Sequence, residues 1–299
     1  MNKLFILIGL QGSGKSTWAN EYKKYDVKVV SSDKIREEHN WQIDNASVFN
    51  EFYKRIDEYL ANGYDVIADA TNITIKSRRP FFERIKTKCS KIGIVFNTPI
   101  EICKRRVERR NQEESQKIVP LEVLEKYMAS FQIPFKEEGF DELWLTNPGV
   151  FNQDKYIEIV NEMNTFDQKN SHHNYTLGQH SQIVENLIQR STLNFPVGCG
   201  ILHDIGKLLT QTFGADGEAH YYNHANVGAY FVASHPEPCV GDIFRVLFII
   251  NYHMMPFDWK TEKTIKKWTA IFGEENVELL RTFNNYDEFA SKIRFLENF

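Results

Sequence analysis

Gly9-Leu10-Gln11-Gly12-Ser13-Gly14-Lys15-Ser16, followed by Thr17-Trp18-Ala19, gathers into one loop the residue types that a nucleoside triphosphate needs. Glycines let the backbone turn so that successive amides point at phosphate oxygens, and the helix that follows adds the positive end of its dipole. Lys15 is placed to reach the β and γ phosphates and the Ser16 hydroxyl to coordinate magnesium, with Gly12, Ser13, Gly14 and Thr17 completing the cradle. A plain Gly/Ser turn between a buried strand and a helix has no need of Lys-Ser where the helix begins. The expected cofactor is ATP or another NTP with Mg. The loop alone does not name the phosphoryl acceptor.

Other polar groups offer the remaining chemistry. In Ser31-Ser32-Asp33-Lys34-Ile35-Arg36, Asp33 is placed to take a proton from an acceptor hydroxyl, and Arg36, a helical turn later, to clamp an anionic acceptor. The bland alternative is that Asp33 caps a helix beginning at Lys34. Val66-Ile67-Ala68-Asp69-Ala70-Thr71-Asn72 delivers further polar residues after a strand, and Arg106 and Arg110 share one helix face by their i, i+4 spacing, as a lid over a triphosphate requires. Later in the chain stand His180, then Ile201-Leu202-His203-Asp204-Ile205-Gly206-Lys207, and Asp287 in Tyr286-Asp287-Glu288. Imidazole together with carboxylate suits a divalent metal that polarises a phosphoryl oxygen and acidifies a water. Lys207, four residues after His203, is placed to contact a substrate phosphate.

The elements that must position these groups fall into two sets. Up to residue 150, strand-like runs at Leu4 to Ile8, Val27 to Val30, Val66 to Ala68, Lys91 to Phe96 and Glu142 to Leu145 alternate with helix-length segments, which predicts an α/β kinase core: a parallel sheet with flanking helices. After the turn cluster Asn147-Pro148-Gly149 the pattern predicts an all-α domain over 165–299, with a linker at about 150 to 165. Histidine usage marks the same change, because of nine histidines only His39 precedes residue 170. A chain of 299 residues with 42% hydrophobic content is ample for two cores. Cys89, Cys103, Cys199 and Cys239 form no Cys-x-x-Cys pair and read as reduced thiols. The net charge of −4 excludes a generally basic nucleic-acid coat, leaving a local groove for any such contact. The apolar run after Met1-Asn2-Lys3 leads into the phosphate loop and so reads as a buried strand rather than a signal peptide; no membrane association and a cytoplasmic location are expected.

Taken together, Gly-Ser-Gly-Lys-Ser-Thr-Trp, Ser-Asp-Lys-Ile-Arg, Asp-Ala-Thr-Asn and the arginine-rich lid segment resemble the polynucleotide 5′-kinases of phage and bacterial end-healing systems over roughly residues 1 to 150. The resemblance implies Asp33 as general base, Arg36 as the clamp on the acceptor's phosphate, Thr71 and Asn72 as acceptor-side positions, and Arg106 and Arg110 as lid arginines.

The second constellation resembles the HD phosphohydrolase superfamily over about residues 165 to 295. That resemblance implies a metal cage of His180, His203, Asp204 and Asp287. It places His224 and His253 where two-metal members carry extra ligands and where a one-metal site would hold phosphate donors, and it makes His173 a candidate phosphate contact. The metal expected is a transition ion such as Mn, Ni, Co, Fe, Cu or Zn. His39, His172 and His235 have no such context.

The combined expectation is a bifunctional enzyme that heals nucleic-acid ends, RNA ahead of DNA. It would phosphorylate a 5′-hydroxyl in one domain and remove or open a 2′,3′-cyclic, 2′- or 3′-phosphate in the other, with an RNA ligase acting downstream as the implied partner. The competing expectations are a nucleoside or small-alcohol kinase fused to an HD nucleotide phosphohydrolase, and a nucleotide-sensing regulator.

Overall fold

The computed structural model describes residues 1–22, 26–113, 118–169 and 175–293. The chain divides into two compact units, one of residues 1–128 and 134–148, the other of 129–133 and 149–299.

In the first unit the apolar runs Lys3–Ile8 (β1), Lys28–Ser31 (β2), Val66–Asp69 (β3), Ser90–Val95 (β4) and Glu142–Leu145 (β5) form one parallel sheet in the order β2-β3-β1-β4-β5. Central strands buried on both faces need continuous apolar sequence, and β1 is buried from Leu4 to Ile8. The crossovers are helical: Lys15–Tyr22 (α1), Ser32–Glu38 (α2), Asn45–Ala61 (α3), Ile75–Glu83 (α4), Ile100–Asn111 (α5) and Leu121–Ala129 (α6). Phe5, Leu7, Ile67, Ile92, Ile94 and Phe96 form the core, and Trp18 and Tyr22 of α1 pack against it, so these aromatics serve packing. The carboxyl ends of β1, β2 and β3 deliver the phosphate loop, α2 with Asp33, and Asp69 to the same edge. Ligands bind along that edge in open parallel sheets.

The second unit is mostly helical: Gln153–Thr165 (α7), Leu177–Ile188 (α8), Cys199–Leu202 (α9), Lys207–Thr210 (α10), His224–Ser234 (α11), Ile243–Tyr252 (α12), Glu262–Phe272 (α13) and Glu274–Lys292 (α14). A short antiparallel pair, Thr212–Phe213 (β6) and Ala219–His220 (β7), precedes α11. The expected linker at 150 to 165 is corrected here, because Asn152 caps α7 by accepting from Asp154 N at 3.0 Å and Lys155 N at 3.2 Å, and the helix packs in the second unit. The short segment 129–133 also belongs to this unit. Side chains of α12 meet its backbone: Asn251 accepts from Ile133 N at 2.6 Å and donates to Phe131 O at 3.1 Å, while the Tyr252 hydroxyl donates to Ile133 O at 2.8 Å. All four cysteines are free. Among the described residues no helix is long and apolar enough to cross a membrane.

Candidate active sites

The phosphate loop borders a cavity of about 1060 Å³ lined by Gly12, Lys15, Ser16, Asp33, Arg36 and Asp69, among others. The loop's shape requires its glycines. Gly12 has φ +76°, and a Cβ there would fall 2.6 Å from the Cys103 carbonyl oxygen. Lys15 is buried, and its ammonium donates to Gly9 O at 2.9 Å and Leu10 O at 2.6 Å. Burial lowers its pKa to about 8, against the opposing charge of Asp69. Ser16 Oγ donates to Asp69 Oδ2 at 2.8 Å, which puts side by side a hydroxyl and a carboxylate, oxygen donors that suit magnesium. Burial also raises the Asp69 carboxyl. The sequence signal for Asp69 is its position at the end of an apolar strand, and its pairing with Ser16 is visible only in the fold.

Across the cavity, α2 begins at Ser32, and its N-cap Ser31 makes no side-chain cap bond. Asp33 is therefore inside the first turn rather than capping the helix, and it faces the cavity with its side chain 73% exposed. Arg36 Nη1 donates to Asp33 Oδ1 at 3.2 Å and Ser32 O at 3.0 Å. From α5, Arg106 Nη1 donates to Gly12 O at 3.1 Å, and Arg106, Arg109 and Arg110 all line the cavity. Arg110 Nε is buried without a hydrogen-bond partner among the described residues. Thr71 lines the cavity, and its carbonyl accepts from Gly9 N at 2.9 Å. Asn72 corrects the sequence reading. It is buried with φ 47°, and its amide donates to Leu7 O at 2.8 Å and Ala70 O at 3.4 Å, so it braces β1 against the end of β3 instead of facing an acceptor.

In the second unit, His203 and Asp204 occupy the turn between α9 and α10. Glu185 of α8 fixes α9, which leads into that turn, by accepting from Gly200 N at 2.9 Å and Ile201 N at 3.3 Å. Gly206 is required, since a Cβ there would lie 1.9 Å from the His224 carbonyl oxygen of α11. His180 Nε2 lies 2.9 Å from Asp287 Oδ1 of α14 and 3.7 Å from Asp204 Oδ2, while His203 Nε2 lies 3.2 Å from Asp204 Oδ2 and 3.5 Å from Asp287 Oδ1. The other oxygen, Asp204 Oδ1, is 3.1 Å from His224 Nε2 and 3.5 Å from His253 Nε2. Two groups of candidate ligands result, His180-His203-Asp204-Asp287 and Asp204-His224-His253, with Asp204 common to both.

The donor set fits a metal. In His203, His224 and His253 the Nδ1 atom lies 2.8 Å from a backbone carbonyl, of Gly200, Tyr221 and Ile250 respectively. A carbonyl only accepts, so Nδ1 carries the proton and a neutral ring turns its Nε2 lone pair inward. His203 Nε2 is buried without a hydrogen-bond partner among the described residues, and His224 Nε2 lies 3.4 Å from His253 Nε2. Lone pairs and carboxylates facing one another in a buried space call for a cation. Burial opposes charge on His203, but Asp204 and Asp287 outweigh it and push its pKa up to about 10. Burial likewise works against the Asp204 charge, yet Lys207 and His203 hold that carboxyl well below its usual range.

Lys207 Nζ lies 2.7 Å from Asp204 Oδ2 and 2.9 Å from Gln168 Oε1, which puts an ammonium at the edge of the cluster. Gln168 is a buried partner that sequence reasoning did not single out. His173 and His172 lie outside the described residues. His39 lies 3.1 Å from Glu51, and His235 lies within hydrogen-bond distance of Ser234 and Phe231.

Residues 4–134 match the family model described as AAA domain. No curated protein matches this chain. Among solved structures, a chain of the RNA repair complex described as Pnkp1/Rnl/Hen1 is similar, with 26% identity and a TM-score of 0.39, over 42% of this chain and 42% of that one. The phosphate loop, the parallel sheet with flanking helices and the family match define the first unit as a P-loop kinase-like domain, which implies an NTP with magnesium.

Proposed function

We propose that the chain is a two-activity end-healing enzyme, a polynucleotide 5′-hydroxyl kinase in the first unit and a metal-dependent HD phosphohydrolase in the second. The observation that carries this reading is the pairing, in one chain, of an Asp-Arg pair facing the P-loop lysine with a buried His/Asp set in which Asp204 serves two ligand groups.

In the kinase half, Lys15, Arg106 and Arg110 offset the charge that spreads over the transferring phosphoryl oxygens, and Ser16 and Asp69 hold magnesium. Asp33 accepts the proton of the attacking 5′-hydroxyl, and Arg36 binds the phosphate on the acceptor's 3′ side. In the HD half, His180, His203, Asp204 and Asp287 hold one divalent ion, and Asp204, His224 and His253 have the composition for a second. The bound metal supplies a water of lowered pKa and an electrophile for a phosphoryl oxygen. Lys207 contributes positive charge beside that phosphoryl group. RNA ends left by ribonuclease cleavage, with a 5′-hydroxyl and a 2′,3′-cyclic phosphate, present both substrates at once, and a ligase is the enzyme class that consumes the product.

The acceptor is tested by offering labelled ATP with a 5′-hydroxyl oligonucleotide or with mononucleosides. Strong preference for the oligonucleotide is expected, and preference for nucleosides would favour a small-molecule kinase. Arg36→Ala is expected to reduce transfer to oligonucleotides and 3′-nucleotides by about ten- to a hundredfold, the range of a charge-assisted hydrogen bond. Bare nucleosides, which lack the phosphate, should lose far less, and equal loss on both would count against phosphate recognition. The two halves should also separate by metal. After chelation, magnesium alone should restore the kinase, whereas imidazole-rich ligands favour Mn, Ni, Co, Fe, Cu or Zn for the phosphohydrolase. Full recovery of both reactions by magnesium would contradict the assignment.

A further inference from the structure

Arg36 is a long side chain on α2, a helix of only seven residues, and a clamp must be held still to recognise a phosphate. What holds it comes from α3. Arg36 Nη2 donates to Asn45 Oδ1 at 3.0 Å, and the guanidinium carbon lies 5.9 Å from the Phe49 ring centroid. Asn45 and Phe49 are four residues apart on α3 and so share one face. Both line the same cavity as Lys15, Asp33 and Arg36.

Neither partner depends on Arg36 for its own place. The α3 N-terminus is fixed by Asp44, whose carboxylate accepts from Ala46 N at 2.9 Å and Ser47 N at 3.1 Å. Phe49 packs against Phe52 and Tyr53, with ring centroids 5.7 and 6.2 Å away. With Ser32 O and Asp33 on Nη1, Asn45 on Nη2 and Phe49 against its plane, the guanidinium side chain is only 18% exposed. A guanidinium has more donors than these contacts use, and those left at Nε and Nη2 suit the oxygens of a phosphate.

We propose that Asn45 and Phe49 are positioning residues that set Arg36 for an acceptor bearing a phosphate 3′ to its reacting hydroxyl, and thereby determine the kinase's preference for polynucleotides. The inference rests on the kinase reading above. Its measure is the ratio of kcat/KM for a nucleoside 3′-monophosphate to kcat/KM for the same nucleoside without the phosphate. Asn45→Ala should lower that ratio about tenfold, as expected for loss of one hydrogen bond to a charged group, and Phe49→Leu about two- to fivefold, the range of a cation–π contact near the surface. Phe49→Trp should keep it, because the ring face remains. In an Arg36→Ala background, Asn45→Ala should change the ratio by less than about twofold, since residues acting through one group are not additive. Asn45 is exposed at a helix start, so Asn45→Ala carries the test if Phe49→Leu disturbs packing. Additive losses, or equal losses on both acceptors, would overturn the positioning role and leave the kinase reading intact. A wild-type enzyme with no preference for the 3′-phosphate would overturn the polynucleotide reading and this inference with it.

Discussion

Lys15→Ala is expected to lower 5′ phosphorylation by about 10²- to 10³-fold, the usual effect of removing one preorganised group that stabilises transition-state charge. Its ammonium is buried and fixed by two loop carbonyls, so no neighbouring cation moves into its place cheaply. Asp33→Ala should cost on the order of 10² to 10⁴ by removing the proposed base, while nucleotide binding persists because Asp33 lies on α2 and not in the phosphate loop. Single-turnover transfer from ATP to an oligonucleotide reads both. If Asp33→Ala keeps near-normal transfer, the acceptor side has been assigned to the wrong residue. Both variants should process a 3′ end normally, since the His/Asp cluster is built from the second unit alone.

The converse holds for the second site. His203→Ala and Asp204→Ala are expected to lower processing of a 2′,3′-cyclic, 2′- or 3′-phosphate end by more than the ~10- to 100-fold typical of losing only an outer partner of a metal ligand. Asp204→Ala should be the more severe, because its two oxygens face different histidine groups and one substitution empties both. Bound transition metal should fall in parallel, as measured by elemental analysis of the purified variants. His203→Ala with wild-type metal content and wild-type 3′ processing would remove this cluster from the chemistry.

The legible parts were those whose physics is local in sequence. A phosphate cradle is made of consecutive amides, so the loop from Gly9 to Ser16 and the five apolar strands could be read directly. Asp33 and Arg36 were legible because one helical turn sets their distance. Asp69 was not, since its role depends on β3 lying beside β1, which brings it to a serine fifty-three positions away. Asn72 was misread because a left-handed backbone turns its side chain into the sheet, and Asn adopts that conformation without any neighbouring signal. The turn at Pro148-Gly149 obscured the start of α7, although Asn152 followed by Asp154 is a readable cap. In the second unit the His-Asp dipeptide marked candidate ligands, but adjacency does not show that Asp204 presents its two oxygens to histidines from α8, α11 and the end of α12. That sharing emerges only when four helices and a turn converge.

The central claim is that one chain converts both ends of the same break. Wild-type protein incubated with ATP, magnesium, manganese and a nicked stem-loop RNA bearing a 5′-hydroxyl and a 2′,3′-cyclic phosphate should yield a 5′-phosphate and an opened or dephosphorylated 3′ end, both identified by mass spectrometry of the two strands. A 5′-phosphate formed opposite an untouched cyclic phosphate, with the 2′- and 3′-phosphate forms equally unprocessed, would contradict the account of the second site. An untouched 5′-hydroxyl would contradict the account of the first.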